Sequence, residues 1–325
     1  KKPFVPRELV LDMAYIWPEA SGEKSDALEG SAYVEFPVNK TFIREDYRKN
    51  TIELAKIRGT IDSVRNDKDV TITEIWLKGY ASPESPYSHN RKLAIGRTAS
   101  LKEYVRNLYN FDEKIIATDF EPEDWAGLRR FVEESNIDHR AEILEIIDTD
   151  MDPDKKEALI KRKYPRDYAF LLEHSYPALR HTDYKVSYVI RRFTDVNEIK
   201  RIMKENPHKL DLNEFYLVAQ TYTPGSDEFN DVFDIAVAIY PNDPVANLNA
   251  ANAALMKNDV RKAGMYLAKA EDTPEATYAR AVFAYKNGDI DEARRLFVKA
   301  QEQGIRQAAD AIETIDYNAN QGNNK

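Results

Sequence analysis

The chain has 325 residues, 42% of them hydrophobic and 11% aromatic, which is enough apolar surface for roughly two cores and too much for a disordered tail. Its 47 basic and 56 acidic side chains leave a net charge of -9, and no run of Lys and Arg is long enough to track a phosphate backbone, so no nucleic acid partner is expected. Zero cysteines exclude disulfides and thiol catalysis, and no apolar run approaches the roughly 18 residues of a bilayer span, so the chain is not expected to be membrane-spanning.

The opening, KKPFVPRELVLDMAYIW, lacks a signal peptide's continuous apolar core, and residues 1–30 match neither domain that follows. They stand as an N-terminal extension or the remnant of an upstream domain. From Ser31, SAYVEFPVN alternates, with Ala32, Val34, Phe36 and Val38 on one side, which predicts a half-buried strand. Tyr47, Ile52, Leu54, Ile57, Ile61 and Val64 then recur at helical spacing. DVTITEIWLKG predicts a second strand, and the helix after it can share Leu93, Leu101, Val105 and Leu108 on one face. KIIATD (Lys114 to Asp119) predicts a third strand, and EPEDWAGLRRFVEE a helix with Glu123 and Asp124 in its first turn. Residues 139–180 are helical in pattern, and YKVSYVIRRF alternates as a closing strand. One polar face per strand predicts a sheet covered by helices on one side.

Beyond Thr194 the texture becomes Ala-rich and helical. Pro244, Ala246, Ala251, Ala254, Asp259, Ala263, Lys269 and Ala270 recur thirty residues on as Pro274, Ala276, Ala281, Ala284, Asp289, Ala293, Lys299 and Ala300. Each unit predicts two antiparallel helices, with Asn258 or Gly288 supplying the turn. A further pair is expected from Leu212 to Ala238, and a capping helix near Arg306 to Ile315. Residues 195–325 carry 15 basic against 21 acidic side chains, the more acidic part.

Two resemblances follow. In GYASPESPYSHNRKLAIGRTASLKEYV, Gly79, Tyr80, Asn90, Leu93 and Arg97 keep, without a gap, the spacing of OmpA-like peptidoglycan-associating domains. The stretch from about 30 to 194 resembles that family, with residues 139–180 inserted before the last strand. The resemblance implies a loop whose Asp holds the amine of a diaminopimelate side chain while a helix Arg pairs with its carboxylate. Arg97 matches the Arg; Ser82 stands at the Asp position, Ser85 at the loop Gly, and Ala94 and Thr98 at the helix Ser and Ala. A neutral Ser weakens the cation half of such a clamp, because charge-assisted hydrogen bonds are about twice as strong as neutral ones. Glu84, held between Pro83 and Pro86, is the nearest acid. Ser82, Glu84, Asn90 and Arg97 are therefore the candidate site for a peptidoglycan stem peptide. Their plain alternatives are a turn hydrogen bond for Ser82, a helix N-cap for Asn90 and a local ion pair for Arg97.

The thirty-residue units resemble tetratricopeptide repeats in Ala251, Ala263, Leu267 and Ala270, and again in Ala281, Ala293, Phe297 and Ala300. The period is shorter than the family's thirty-four, and the first-helix Trp and Tyr are missing. The resemblance implies a concave protein-binding face carrying Asn252, Tyr278 and Tyr285, with ordinary packing between repeats as the alternative.

Other motifs carry less. DTDMDPDKKEAL spaces four Asp like a calcium loop, but Pro153 and Leu159 stand where Gly and Glu are required, and Asp152 with Pro153 predicts a helix start instead. His89, His139, His174, His181 and His208 show no metal-ligand spacing, so neither a metal nor any other cofactor is expected. No catalytic motif is present.

The expected fold class is α+β, an OmpA-like domain over 31–194 followed by an all-α tetratricopeptide-like solenoid over 195–325. The expected function is a non-enzymatic protein of a gram-negative envelope, periplasmic or outer-membrane-associated, which binds peptidoglycan and recruits a protein partner through its repeats. The alternative is an adaptor for surface or fimbrial assembly that has lost wall binding; a third reading is a hydrolase using the 119–125 loop.

Overall fold

In the computed structural model, which describes residues 4–37 and 39–322, the chain divides into two units: Glu23–Arg191, and Arg192 onward together with the residues up to Gly22. The described residues form a mixed α+β protein, 57% helical, with one four-stranded sheet.

The first unit runs β1 (Lys24–Ala32), α1 (Asn50–Arg65), β2 (Val70–Tyr80), α2 (Tyr87–Tyr109), β3 (Ile116–Glu121), α3 (Trp125–Glu134), α4 (Arg140–Ile147), α5 (Pro153–Lys163), α6 (Pro165–His174), α7 (Tyr176–Leu179) and β4 (Thr182–Ile190). The strand order is β1-β4-β2-β3, with β2 and β3 parallel and the other neighbours antiparallel, so the last strand lies between the first two. Ile75, Leu77, Tyr184 and Val186 face a core shared with Leu54, Ile57 and Ile61 of α1 and Leu101 and Val105 of α2. That is the expected helix-covered face. Ile52 and Leu108 depart from it and are exposed. The 139–180 stretch forms four helices that bury Ile143, Ile160, Leu171 and Tyr176 together with Leu128 and Val132 of α3.

The first strand differs from expectation. Ladder pairing lies upstream, in Lys24–Ala32, an edge strand with little hydrophobic pattern of its own. Residues 33–37 follow on with Val34 buried, but pair with no strand among the described residues. Their backbone is satisfied by α1 side chains: Tyr33 N–H donates to Glu53 at 2.9 Å, Glu35 N–H to Asn50 Oδ1 at 2.8 Å, and Asn50 Nδ2 donates back to the Glu35 carbonyl. A buried amide requires a partner, and side chains supplied it where a neighbouring strand was expected. Val38 lies outside the described residues. β3 also begins two residues later than expected, after a 3₁₀ turn at Glu113–Ile115.

The second unit is α8 (Val196–Glu205), α9 (Leu212–Ala219), α10 (Asp227–Ile239), α11 (Pro244–Met256), α12 (Val260–Leu267), α13 (Pro274–Lys286), α14 (Ile290–Glu302) and α15 (Ala308–Gly322). Each repeat is a helical hairpin, α11 with α12 and α13 with α14. Asn258 and Gly288 turn the hairpins in the left-handed region, at φ 61° and 83°. Fully buried Ala251, Ala263, Ala281, Ala293 and Ala300 let the helices approach around Phe297. Residues 4–22, unassigned in sequence, pack in this unit: Met13 is buried in its core and Leu9, Leu11, Tyr15 and Ile16 lie against it. Among the described residues no helix is long and apolar enough to cross a membrane.

Candidate functional site

The motif glycine sits at the end of β2 because α2 crosses there. A Cβ on Gly79 would lie 2.1 Å from Thr98 Oγ1, so only hydrogen fits between strand and helix. Ala94 and Thr98 are buried at this crossing, and the Thr98 hydroxyl donates to the Ala94 carbonyl at 2.7 Å. The helix departures from the family pattern are therefore packing positions.

α2 begins at Tyr87 with Pro86 at its N-cap position, which corrects the capping role for Asn90. Asp154 of α5 accepts from Tyr87 N–H at 2.8 Å and serves that helix end instead. Asn90 is buried and links two loops: its Nδ2 donates to the Ser85 carbonyl at 2.7 Å and to Glu123 Oε1 at 2.9 Å. Trp125 Nε1 donates to the other Glu123 oxygen at 2.7 Å, so both oxygens of this 3% exposed carboxylate are engaged inside the protein. Burial raises its pKa, against these hydrogen bonds, and the neighbouring Asp154 and Asp152 add to the rise. Glu123 and Asp124 precede α3 rather than filling its first turn; Asp124 is the N-cap and accepts from Gly127 N–H at 2.9 Å.

Ser82 and Glu84 converge on a residue that sequence reasoning missed. Arg180, which follows α7, donates from Nε to Ser82 Oγ at 3.0 Å and pairs with Glu84 at 2.7 Å. Arg97 and Arg180 line a cleft of about 500 Å³, with Arg48, Lys49, Glu35 and Glu53 among its walls; Ser82 and Glu84 meet Arg180 but do not line the cleft. The Arg97 guanidinium lies over the Phe36 ring at 5.0 Å, and its buried Nε has no hydrogen-bond partner among the described residues. Burial lowers the Arg97 pKa, the like charge of Arg180 lowers it further, and Glu84 opposes both. Arg48 pairs with Glu35 at 2.8 Å and Glu53 with Lys56 at 2.8 Å, so the acids on this wall are already matched. The cleft presents the guanidinium of Arg97 beside that of Arg180, and Arg180 is already engaged by Ser82 and Glu84.

The next residue, His181, bridges two acids. Its Nε2 lies 2.8 Å from Asp124 and its Nδ1 2.8 Å from Asp183, with the Tyr80 ring stacked at 4.2 Å. Burial by itself would lower the imidazole pKa, but the hydrogen bonds and charges of the two carboxylates outweigh it and push the value up to about 9. Doubly protonated, the ring donates to both acids and ties the start of β4 to the α3 cap. The signal for both residues was the basic pair Arg180-His181 directly before an alternating strand.

In the helical unit, Asn252 and Tyr278 are almost fully buried and Tyr285 is half-buried. Asn252 Nδ2 donates to the Ala14 carbonyl at 2.8 Å, and Tyr278 packs edge-on against Phe297 with its hydroxyl unpartnered among the described residues. The face assigned to a protein partner is met at Asn252 by the chain's own N-terminal segment, and Tyr278 is buried in the core of the unit. Among the described residues no cluster of His, Asp and Glu is placed to hold a metal ion. No family model matches this chain, and no curated protein matches it.

Proposed function

We propose that the protein is a non-enzymatic adaptor of the gram-negative envelope, with an OmpA-like unit that keeps a carboxylate-binding arginine and a tetratricopeptide-like unit that engages a protein partner. The observation that carries this reading is Arg180. Its guanidinium engages both Ser82 and Glu84, the two residues that would have to receive a ligand ammonium. A cation already held there disfavours a second by like-charge repulsion, so a zwitterionic wall peptide loses half of its clamp.

Peptidoglycan binding through the carboxylate alone is the second reading, favoured by the unpartnered Nε of Arg97. Pull-down on purified sacculi separates the two. The adaptor reading expects wild type to stay at background, Arg180→Ala to gain retention by freeing Ser82 and Glu84, and crosslinking in the envelope to capture a stable protein partner. Retention of wild type that disappears in Arg97→Ala would overturn it in favour of wall binding.

A further inference from the structure

Residues 4–20 have neither helix nor strand, yet they run along the helical unit in an order opposite to its helices, from α15 through α11 to α9. Asparagine side chains hold their backbone. Asn318 exchanges two hydrogen bonds with the N–H and carbonyl of Arg7, both 2.9 Å, and Asn249 does the same with Ile16, at 2.9 and 2.8 Å. Asn252 and Asn213 donate to the carbonyls of Ala14 and Pro18. A carboxamide presents an N–H donor and a C=O acceptor side by side, as a neighbouring strand would, so these contacts grip an extended main chain whatever its side chains.

Side chains then set the register. Leu9, Leu11 and Met13 turn inward while Val10 and Asp12 face solvent, and Tyr15 stacks on Phe233 with ring centroids 4.9 Å apart. The fit is incomplete. Asn252 Oδ1 and the hydroxyls of Tyr15 and Tyr278 are buried without a partner among the described residues. Val5, Val10 and Trp17 remain 75%, 76% and 50% exposed. The segment ends at Gly22, a bend at which an added Cβ would meet nothing within 4 Å.

We propose that this segment is a tethered ligand of the helical groove, and that the groove also accepts the same segment from a second copy of the chain. The second copy is the fitting occupant because it reproduces every contact above identically; the link at Ser21 and Gly22 adds hydrogen bonds from Arg192 to their two carbonyls and from the Ser21 hydroxyl to Asp211, which a second copy also carries. In one molecule the tether acts at an effective concentration in roughly the millimolar range, so the closed form prevails in dilute solution. This rests on reading the helical unit as protein-binding. Groove titrations and sacculus pull-down report separate sites, so either idea fails without the other.

Two variants of the 325-residue chain test it. An acceptor carries Met13→Glu with Tyr15→Asp, which unseats its own segment; a donor carries Asn249→Ala with Asn252→Ala, which weakens its own groove. Each alone is expected to be monomeric by light scattering, and their mixture to form a 1:1 complex. A labelled peptide of residues 4–21 should bind the acceptor at least about tenfold more tightly than it binds wild type. A folded acceptor that binds neither peptide nor donor overturns the tethered ligand; one that binds peptide but not donor overturns the second copy as its source. Should either variant fail to fold, hydrogen exchange on wild type decides. The Ile16 amide is expected to exchange through local opening, and exchange only at the rate of global unfolding overturns the proposal.

Discussion

His181 and Asn90 each join elements that the sequence keeps far apart, and each makes a prediction at the level of one side chain. The His181 pKa of about 9 lies above its ordinary value near 6.5, so its contribution to stability is complete below pH 6.5, falls as pH rises through 9, and is then lost. Asp124 and Asp183 are shifted the other way. Burial would raise both, but the His181 hydrogen bond leads the contacts that lower them, so their contribution is lost as pH falls through the carboxylate range. Denaturant melts should therefore show greatest stability between about pH 4.5 and 6.5, with a decline toward pH 9 that His181→Gln removes at a cost of about 3 kcal/mol. An unchanged alkaline limb in that variant would refute the bridge. Asn90→Ala strands the Ser85 carbonyl and one Glu123 oxygen, and should cost about 2 kcal/mol in the same melts. Neither role was legible from spacing alone. The register of Asn90 and Arg97 in the motif located the loop, but Arg180 and Glu123 come from 90 and 33 residues further on in the chain, counted from Asn90.

At the scale of elements, the crossing of β2 and α2 depends on one missing Cβ. Gly79→Ala should destabilise by about 1–3 kcal/mol through overpacking against Thr98, and Thr98→Ala in the same chain should restore part of that loss; additive effects in this double-mutant cycle would rule out the contact. Helices and β4 were readable because burial imposes a period on their residues, as in Ile57, Ile61 and Val64 of α1. β1 was not, since an edge strand needs no apolar face and its pairing to β4 joins residues 150 or more positions apart. Residues 33–37 show the converse: their pattern in sequence marks Val34 as buried, while pairing depends on what lies beside the backbone.

For the whole molecule, two units imply two separable responses. Leu101→Ala should cost about 2–5 kcal/mol and lower amide protection in residues 23–191, and Phe297→Ala about 3–5 kcal/mol with its loss of protection in the helical unit, residues 4–22 included. Protection of residues 9–18 that followed Leu101→Ala instead would contradict the assignment of that segment. From the sequence alone came the α+β class, the change of texture near residue 194, the thirty-residue hairpins and the loop from Gly79, because periodicity, turn residues and local spacing are properties of neighbouring positions. Only the tertiary structure decided that Arg180 fills the place beside Ser82, that Asn252 grips Ala14, and that the first residues belong with the last helices. Each of these joins groups nearly 100 to more than 200 positions apart, and their hydrogen bonds depend on where the backbone returns in space, which no local pattern encodes.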